Sequence, residues 1–490
     1  MPRNLEELFV NIASELIPPQ PLRGQAKGLA YNSRNVNEGF IFFALQGSSQ
    51  DGRAYIEEAV RKGAVAVVTD LGYTQALKVP LVRVREPRRV LGQVARRFFG
   101  DPTAKLVTIG ITGTNGKTTV SYLVKSILSA AGHQSGLIGT IGHESGGRTV
   151  AAKNTTPESL DLFMLFDEMV RNGLTHVVME ISSHALALHR VAEVMLTVGV
   201  YTNLTRDHLD FHPTFDDYKK AKLSMLKLVK PDGGVVYNLD DIMAPDIERL
   251  FPGPKSGYGL KSAYPHLDQA SLIRAEIDAV TKERTSFTLH HGAKSYRIKT
   301  TLLGRHNVYN VMASFGAAAA LNVNPEAITR GIANLKSVPG RLMPVPNQKG
   351  LSVFIDYAHT DDALKSVLTA VREFTRGRVI VVFGCGGNRD RGKRPLMGRI
   401  ATELADFAFV TSDNPRNEAP EAIINEIVQG VSKNNYQAVP GRRDAICAAI
   451  KIAQPQDSVV IAGKGHENYQ IVKDEVNHFD DFEVAQQCLS

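Results

Sequence analysis

The most constraining stretch of this 490-residue chain is Thr-Gly-Thr-Asn-Gly-Lys-Thr-Thr, residues 112–119. It follows the apolar run Leu-Val-Thr-Ile-Gly-Ile (106–111), which predicts a buried strand. It precedes residues 120–131, where Leu123, Ile127 and Leu128 fall at helical spacing. A strand that enters a glycine-rich turn and leaves as a helix aims several backbone N–H groups, and the positive end of the helix dipole, at one point. That arrangement suits a phosphate. Gly113 and Gly116 permit close approaches that side chains would block, Lys117 can reach terminal phosphate oxygens, and the Thr118 hydroxyl can ligate Mg²⁺. The strict Walker pattern asks for glycine where Ile111 stands, so the loop is a variant.

The chain is too long for one core, and about three domains are expected. With 43% hydrophobic and 22% charged residues it reads as an ordinary globular protein. The start, MPRNLEEL, places acids where a signal peptide needs an apolar core, and no run approaches the roughly 18 apolar residues of a membrane span. Cytoplasm is the expected compartment. Cys385, Cys447 and Cys488 are widely spaced and form no CxxC pair, so neither a disulfide framework nor a zinc site is indicated. The net charge of +7 is spread along a chain without Trp, which favours anionic small substrates over nucleic acid.

Residues 1–101 alternate short apolar runs (40–45, 64–69, 81–84) with helical or turn segments, the pattern of a small α/β domain. A helix over 90–99 leads to Asp101-Pro102, a linker before the nucleotide-loop strand. In the middle of the chain, strands are predicted at 137–141, 176–181, 198–201 and 235–237, alternating with helices, which indicates a mostly parallel sheet. Glu180 ends the second of these, a place where its carboxylate can ligate Mg²⁺. The segment TNLTRDHLDFH (202–212) is dense in phosphate- and metal-binding groups. His208 and His212 lie four apart, but Pro213 argues for a loop and zinc lacks a third ligand, so His208 is read as a metal or phosphate contact. A helix over 215–229 carries Lys219, Lys220, Lys222 and Lys227, which by composition is a solvated basic face. An antiparallel hairpin over 285–300 and an alanine-rich helix over 307–321 follow.

Beyond Pro339-Gly-Arg341, four apolar strands (353–356, 379–383, 407–410, 458–462) each end in a polar loop: DYAHT, GCGGNRD, SDNPR and GKGHE. In open α/β sheets ligands bind outside the carboxyl ends of strands, so all four loops can line one crevice. A dinucleotide fingerprint fails, because Arg389 stands where its third glycine should fall. A phosphate loop with Mg²⁺ ligands beside a crevice rich in Arg, His and Glu suggests that ATP activates a carboxylate as an acyl phosphate, which an amine then attacks.

Seven motifs in this order, TGTNGKTT, MEISSHAL, TNLTRDHLDFH, DYAHT, GCGGNRDRGKR, SDNPR and AGKGHE, closely resemble the Mur ligases over nearly the whole chain. Within that family the likeness is to the branch that adds the third peptide residue to UDP-N-acetylmuramoyl-L-Ala-D-Glu in peptidoglycan synthesis. The resemblance implies an α/β fold of three domains: a UDP-binding domain (1–101), a central P-loop-type ATPase domain with a mostly parallel sheet (102–338), and a Rossmann-like amino-acid-binding domain (339–490). Carried over by motif, Ser33, Ser48, Ser49, Gln50, Asn154, Thr155, Thr156, Ser182 and Arg190 would contact the UDP-sugar peptide. Gly113, Thr114, Asn115, Gly116, Lys117, Thr118 and Thr119 form the nucleotide loop, with Asn307, Arg341 and Asp356 near ATP. Thr118, Glu180 and His208 would belong to the Mg²⁺ site. In this family the lysine of the Tyr-x-x-Ala-Lys setting, here Lys222, is carbamylated by CO₂ and helps hold a second Mg²⁺; the carbamate supplies the oxygen that a hard cation requires. Lys117, Glu180, His208 and Lys222 are thus the implied catalytic set. Leu188 stands where relatives often have Gln, which departs from the sugar-peptide pattern.

Asp413, Asn414, Pro415 and Arg416 resemble the form found in enzymes that add meso-diaminopimelate, with Arg389, Gly463 and Glu467 completing the pocket. The distal end of that substrate carries a carboxylate for Arg416 and an ammonium for Asp413 and Glu467. Lysine offers no distal carboxylate, which would leave a buried Arg416 unpaired. The competing expectations are a lysine-adding ligase, a folylpolyglutamate synthetase-like ligase, and a P-loop nucleotide-binding module without ligase activity. A monomer is expected, as is domain closure that brings substrates held on separate domains to one carbonyl.

Overall fold

The sheets of this protein follow from its short apolar runs, each closed by Gly, Pro, Asn or Asp. In the computed structural model, which describes residues 2–17, 22–47, 50–261, 264 and 268–490, those runs pair as an α/β fold requires. Two compact units are formed. One comprises residues up to Gly110, His133–Thr197 and Ser224–Gly233; the other comprises Ile111–Gly132, Val198–Leu223 and Gly234–Ser490.

In the first unit, strands Gly28–Ala30, Phe40–Phe43, Ala66–Asp70 and Leu81–Val84 lie parallel, and Glu15–Ile17 closes the edge antiparallel. Phe42, Val67 and Leu81 are buried in the core on one face of that sheet. Helix Pro87–Phe98 begins with Pro at its first position, where the missing N–H is not needed. It packs on helix Ser159–Arg171. Strands Ser135–Ile138 and His176–Glu180 run parallel, and Gly142–Glu144 and Thr149–Ala151 extend the pairing antiparallel.

In the second unit the loop after strand Val107–Thr112 runs into helix Lys117–Ala130, which packs against Arg305–Ala320 and Pro325–Asn334. Residues 235–238 of strand Val229–Asn238 pair in parallel with Lys255–Gly259, which pairs in parallel with Leu272–Val280. Thr285–His291 and Lys294–Thr300 then add antiparallel. The C-terminal sheet has the order Met343–Pro344, Ser352–Asp356, Ser458–Ala462, Val379–Phe383, Phe407–Val410, Tyr436–Ala438. All its pairings are parallel except the short first strand. Its two faces are covered by two apolar clusters, centred on Val381, Phe383 and Val460 and on Ile380, Val382 and Ile461. A parallel sheet needs cover on both faces, and its strands are accordingly apolar throughout.

Two expectations change. The helix predicted over 215–229 ends at Leu223; a tighter turn, Ser224–Leu228, leads into strand Val229–Asn238. Pro231 accounts for the extended backbone at Lys230, since the residue before a proline is pushed away from the helical region. The cysteine reading is also corrected. Cys447 and Cys488 form a disulfide, because helices Arg442–Ile452 and Asp481–Leu489 pack side by side and bring their Cα atoms to 5.2 Å. Their separation of 41 residues hid that proximity. Among the described residues no helix is long and apolar enough to cross a membrane.

Candidate active site

The nucleotide loop is shaped by its glycines and braced by residues 202–205. Gly113 has φ 152°, and a Cβ there would stand 1.8 Å from Thr202 Oγ1; at Gly116, with φ 87°, one would stand 2.4 Å from Asn310 Oδ1. Only glycine fits either position. The Thr114 N–H donates to Asn203 O (2.8 Å) and the Asn115 N–H to Asn203 Oδ1 (2.9 Å). Thr202 Oγ1 donates to Asn115 O (2.6 Å), and Tyr218 OH lies 3.0 Å from Thr114 Oγ1. Asn115 Nδ2 donates to Asp362 Oδ2 (2.9 Å), which also accepts from Thr205 Oγ1 (3.1 Å). The loop is thus tied to the start of helix Asp361–Phe374.

Two lysines converge beneath this loop. Lys117 Nζ donates to Gly113 O (2.8 Å) and Thr114 O (2.9 Å), and Lys222 Nζ donates to the same Gly113 O (2.9 Å). Lys222 is 1% exposed, so the basic-face reading fails for it. Burial, and then the charge on Lys117, hold its amine well below the ordinary lysine range. Lys222 also lies 4.6 Å from the centre of the Tyr218 ring. His208 and His212 sit in an irregular segment, as Pro213 indicated, and His208 Nε2 is 3.2 Å from Asp207 Oδ2. Among the described residues, no group of three or more His, Cys, Asp or Glu is placed to hold a metal.

From Thr118 the contacts lead to the C-terminal loops. Arg341 donates to Thr118 Oγ1 (3.1 Å) and lies over the Tyr357 ring at 4.6 Å; the Tyr357 and His466 rings are 5.0 Å apart. Asp356 is buried, which raises its pKa, and it accepts from the N–H groups of Leu342 (2.7 Å) and Ala358 (2.8 Å). Asn307 accepts from Asn310 Nδ2 (2.9 Å) and donates to Leu303 O (2.8 Å) at the start of helix Arg305–Ala320. His359, half-buried, donates from Nδ1 to Tyr357 O (2.8 Å), and desolvation and then Lys393 push its pKa down to about 4.

The four C-terminal loops meet as expected. Arg416 Nη1 donates to Gly387 O (2.9 Å), which joins the second loop to the third. Asn414 Nδ2 donates to Glu467 Oε2 (2.8 Å), which joins the third to the fourth. Arg389 and burial both lower the Arg416 pKa, burial more, so two guanidinium groups share this pocket. Asp413 Oδ2 is buried without a hydrogen-bond partner among the described residues. Glu467 is raised by burial first and then by Asp413, so the two carboxylates face the same space. Cationic and acidic sides therefore stand together, as recognition of a zwitterionic head group requires. Pro415 and Gly463 supply the backbone of this wall.

The first unit gathers most of the residues read as sugar-peptide contacts. Thr156 Oγ1 donates to Glu180 O (2.9 Å) and accepts from the Ser182 N–H (3.0 Å), while Arg190 Nη1 donates to Thr156 O (3.3 Å). The Glu180 carboxylate accepts from Thr140 N (2.9 Å) and Thr140 Oγ1 (3.0 Å), and Thr155 Oγ1 is 3.1 Å from Thr140 Oγ1. Asn154 is exposed beside them and Leu188 is half-buried after the short helix Ser183–Ala187. Ser33 lies apart from this group, its Oγ donating to Glu58 (3.1 Å) in the N-terminal sheet region. Gln50 is exposed, and Ser48 and Ser49 lie outside the described residues. Sequence reasoning left Asn203, Asp362 and Lys464 without roles; each lies inside or next to a motif it had singled out.

Comparison with known proteins agrees with this geometry. Sequence models of the Mur ligase middle domain, the Mur ligase glutamate ligase domain and the Mur ligase family catalytic domain match residues 111–318, 340–465 and 25–99. The chain belongs to the Mur ligase family. It is 42% identical over 468 residues to a UDP-N-acetylmuramoyl-L-alanyl-D-glutamate–2,6-diaminopimelate ligase of Clostridium tetani (strain Massachusetts / E88), covering 94% of each chain. The enzyme of that name from Solibacter usitatus (strain Ellin6076) is 43% identical over 491 residues, covering 99% of this chain and 98% of the relative. A solved structure described by the same name superposes with a TM-score of 0.70 at 31% identity, covering 100% of this chain and 99% of that one.

Proposed function

We propose that this protein is an ATP-dependent ligase that joins meso-diaminopimelate to the D-glutamyl carboxylate of UDP-N-acetylmuramoyl-L-Ala-D-Glu in peptidoglycan precursor synthesis. The observation that carries this reading is the pocket of Arg389, Arg416, Asp413 and Glu467, in the same compact unit as the nucleotide loop. Arg416 would pair the distal carboxylate of the diamino acid, and Asp413, whose buried Oδ2 has no hydrogen-bond partner among the described residues, would accept from its ammonium.

In the reaction, loop N–H groups and the N-terminus of helix Lys117–Ala130 hold the phosphates, and Lys117 turns from its carbonyl contacts to the terminal phosphate. The terminal phosphoryl group passes to a carboxylate oxygen with ADP leaving; the diamino acid amine then attacks the acyl carbonyl, and phosphate leaves. The chain contributes positioning and charge stabilisation. Mg²⁺ would neutralise charge on the phosphates, and in the unit that carries the nucleotide loop the Thr118 hydroxyl offers it an oxygen. Lys222 as an amine does not fit a hard cation, but burial shifts its Nζ toward the neutral form that adds CO₂, and the carbamate would present oxygens. We assign residues 1–101, 102–338 and 339–490 to UDP binding, ATP binding and amino-acid binding, and the enzyme to the cytoplasm as a monomer.

Phosphate release measured with each substrate omitted in turn tests the reading. Dependence on ATP, the UDP-dipeptide and the diamino acid together supports it; release from ATP alone at the full rate would identify a nucleotide-hydrolysing module instead.

A further inference from the structure

The amino-acid pocket contains a buried cation that the reaction scheme does not use. Lys464 lies on the fourth C-terminal loop, is 0% exposed, and its Nζ donates to Asn414 Oδ1 (3.2 Å) while lying 3.5 Å from Glu467 Oε2. Asn414 completes the link, because its Nδ2 donates to that same Glu467 oxygen (2.8 Å). The Lys464 ammonium also sits 5.5 Å from the centre of the Tyr469 ring. A buried cation is expensive unless it is paired and hydrogen-bonded, so this triangle is a defined arrangement.

A second layer fixes the same triangle from outside. Strand Tyr469–Val472, hairpinned to Glu475–His478, runs along the Asp413–Arg416 segment. Gln470 Nε2 donates to Asp413 O (2.6 Å), the Ile471 N–H to Asn414 Oδ1 (2.9 Å), the Arg416 N–H to Ile471 O (3.0 Å), and the Lys473 N–H to Arg416 O (2.7 Å). Arg416 has φ 51°, an uncommon backbone state for a residue with a side chain, and these bonds on both its sides hold it there. Asn414 Oδ1 thus accepts from the hairpin and from Lys464 at once.

We infer that Lys464 is a positioning residue for the amino-acid substrate: it locks Asn414 and Glu467 into one orientation and neutralises part of the negative charge that Glu467 and Asp413 bring together. Without it the two carboxylates repel across the pocket, and Glu467 holds a proton at pH values where the native side chain is ionised. The ammonium of the diamino acid then meets one charge fewer. This inference rests on the reading of the pocket as the diaminopimelate site.

The test is steady-state phosphate release by the full-length enzyme carrying Lys464→Met or Lys464→Gln, with each of the three substrates varied. Both variants are expected to raise the KM for meso-diaminopimelate at least tenfold, with the KM values for ATP and the UDP-dipeptide within about twofold of native. Lys464→Gln retains a donor for Asn414 and guards against loss of the fold in Lys464→Met. Added to Glu467→Gln, Lys464→Met is expected to cause little further loss, because it acts through Glu467. In the single variant, the rise in diaminopimelate KM steepens as the pH falls. Native KM in Lys464→Gln, equal rises for all three substrates, or additive losses with Glu467→Gln would overturn the inference. A native enzyme that turns over with another amino acid in place of diaminopimelate would overturn the pocket assignment instead.

Discussion

Burial changes what Lys222 is. On the helix Phe215–Leu223 its neighbours Lys219 and Lys220 stay accessible, whereas Lys222 points inward to Gly113 O, beside a second cation. Burial, and then the charge on Lys117, hold its amine well below the ordinary lysine range, toward the neutral form. Lys222→Ala is therefore expected to lower kcat by roughly a hundredfold or more, the scale of losing one preorganised electrostatic group, with the fold retained by circular dichroism. Ligation at the native rate would remove Lys222 from the mechanism. Arg416 makes a different point, because its planar fork can hold a carboxylate through two bonds and Lys cannot. Arg416→Lys should raise the diaminopimelate KM by roughly tenfold to a hundredfold, about 1.5–3 kcal/mol, and leave the ATP KM unchanged. Composition marked Lys222 as surface, and only its place in a motif argued otherwise; the pairing of Asn115 with Asp362 had no local signal, because those residues are 247 positions apart.

At the level of elements, the apolar strands were legible because each is a continuous run bounded by turn residues; Leu81–Val84 and Val379–Phe383 occupy the predicted residues. The hairpin of Tyr469–Val472 and Glu475–His478 was not, since its residues are mostly exposed and lack one buried face, as the exposure of Val472 and Val476 illustrates. Its role is to brace a neighbouring loop, which leaves no apolar period to read. The ion pairs of helix Lys393–Leu404 were equally silent. Arg394 is 0% exposed and bonds Glu418 (2.8 Å) and Glu426 (2.9 Å), tying its helix to the segment leading into Pro420–Val428. The Arg394 bond holds the Glu418 pKa down to about 2. Because that value lies below the unfolded one, the pair contributes stability above pH 4.5 that is lost as the pH falls toward 2. Glu418→Gln should lower unfolding stability by about 1 kcal/mol near neutral pH, a value reduced by water's access to Glu418, and the gap should close on acidification. A gap that persists at the acidic end would assign the effect to packing.

Over the whole molecule, the fold and the family could be read from seven ordered motifs, and the structure adds which of them share a compact unit. Nucleotide loop, Lys222 and amino-acid loops fall together in one, linked through Thr118, Arg341, Tyr357 and His466. Glu180, Thr156, Ser182 and Arg190 fall in the other. The central claim is that the Arg416, Asp413 and Glu467 pocket selects a diamino acid with a distal carboxylate. Its most direct measurement is kcat/KM for phosphate release with ATP and UDP-N-acetylmuramoyl-L-Ala-D-Glu held constant and meso-diaminopimelate, lysine, ornithine or glutamate supplied as the acceptor amine. A preference for meso-diaminopimelate over lysine of roughly a hundredfold or more is predicted, since lysine leaves the half-buried Arg416 without a carboxylate partner. Equal values for lysine and meso-diaminopimelate would contradict the claim.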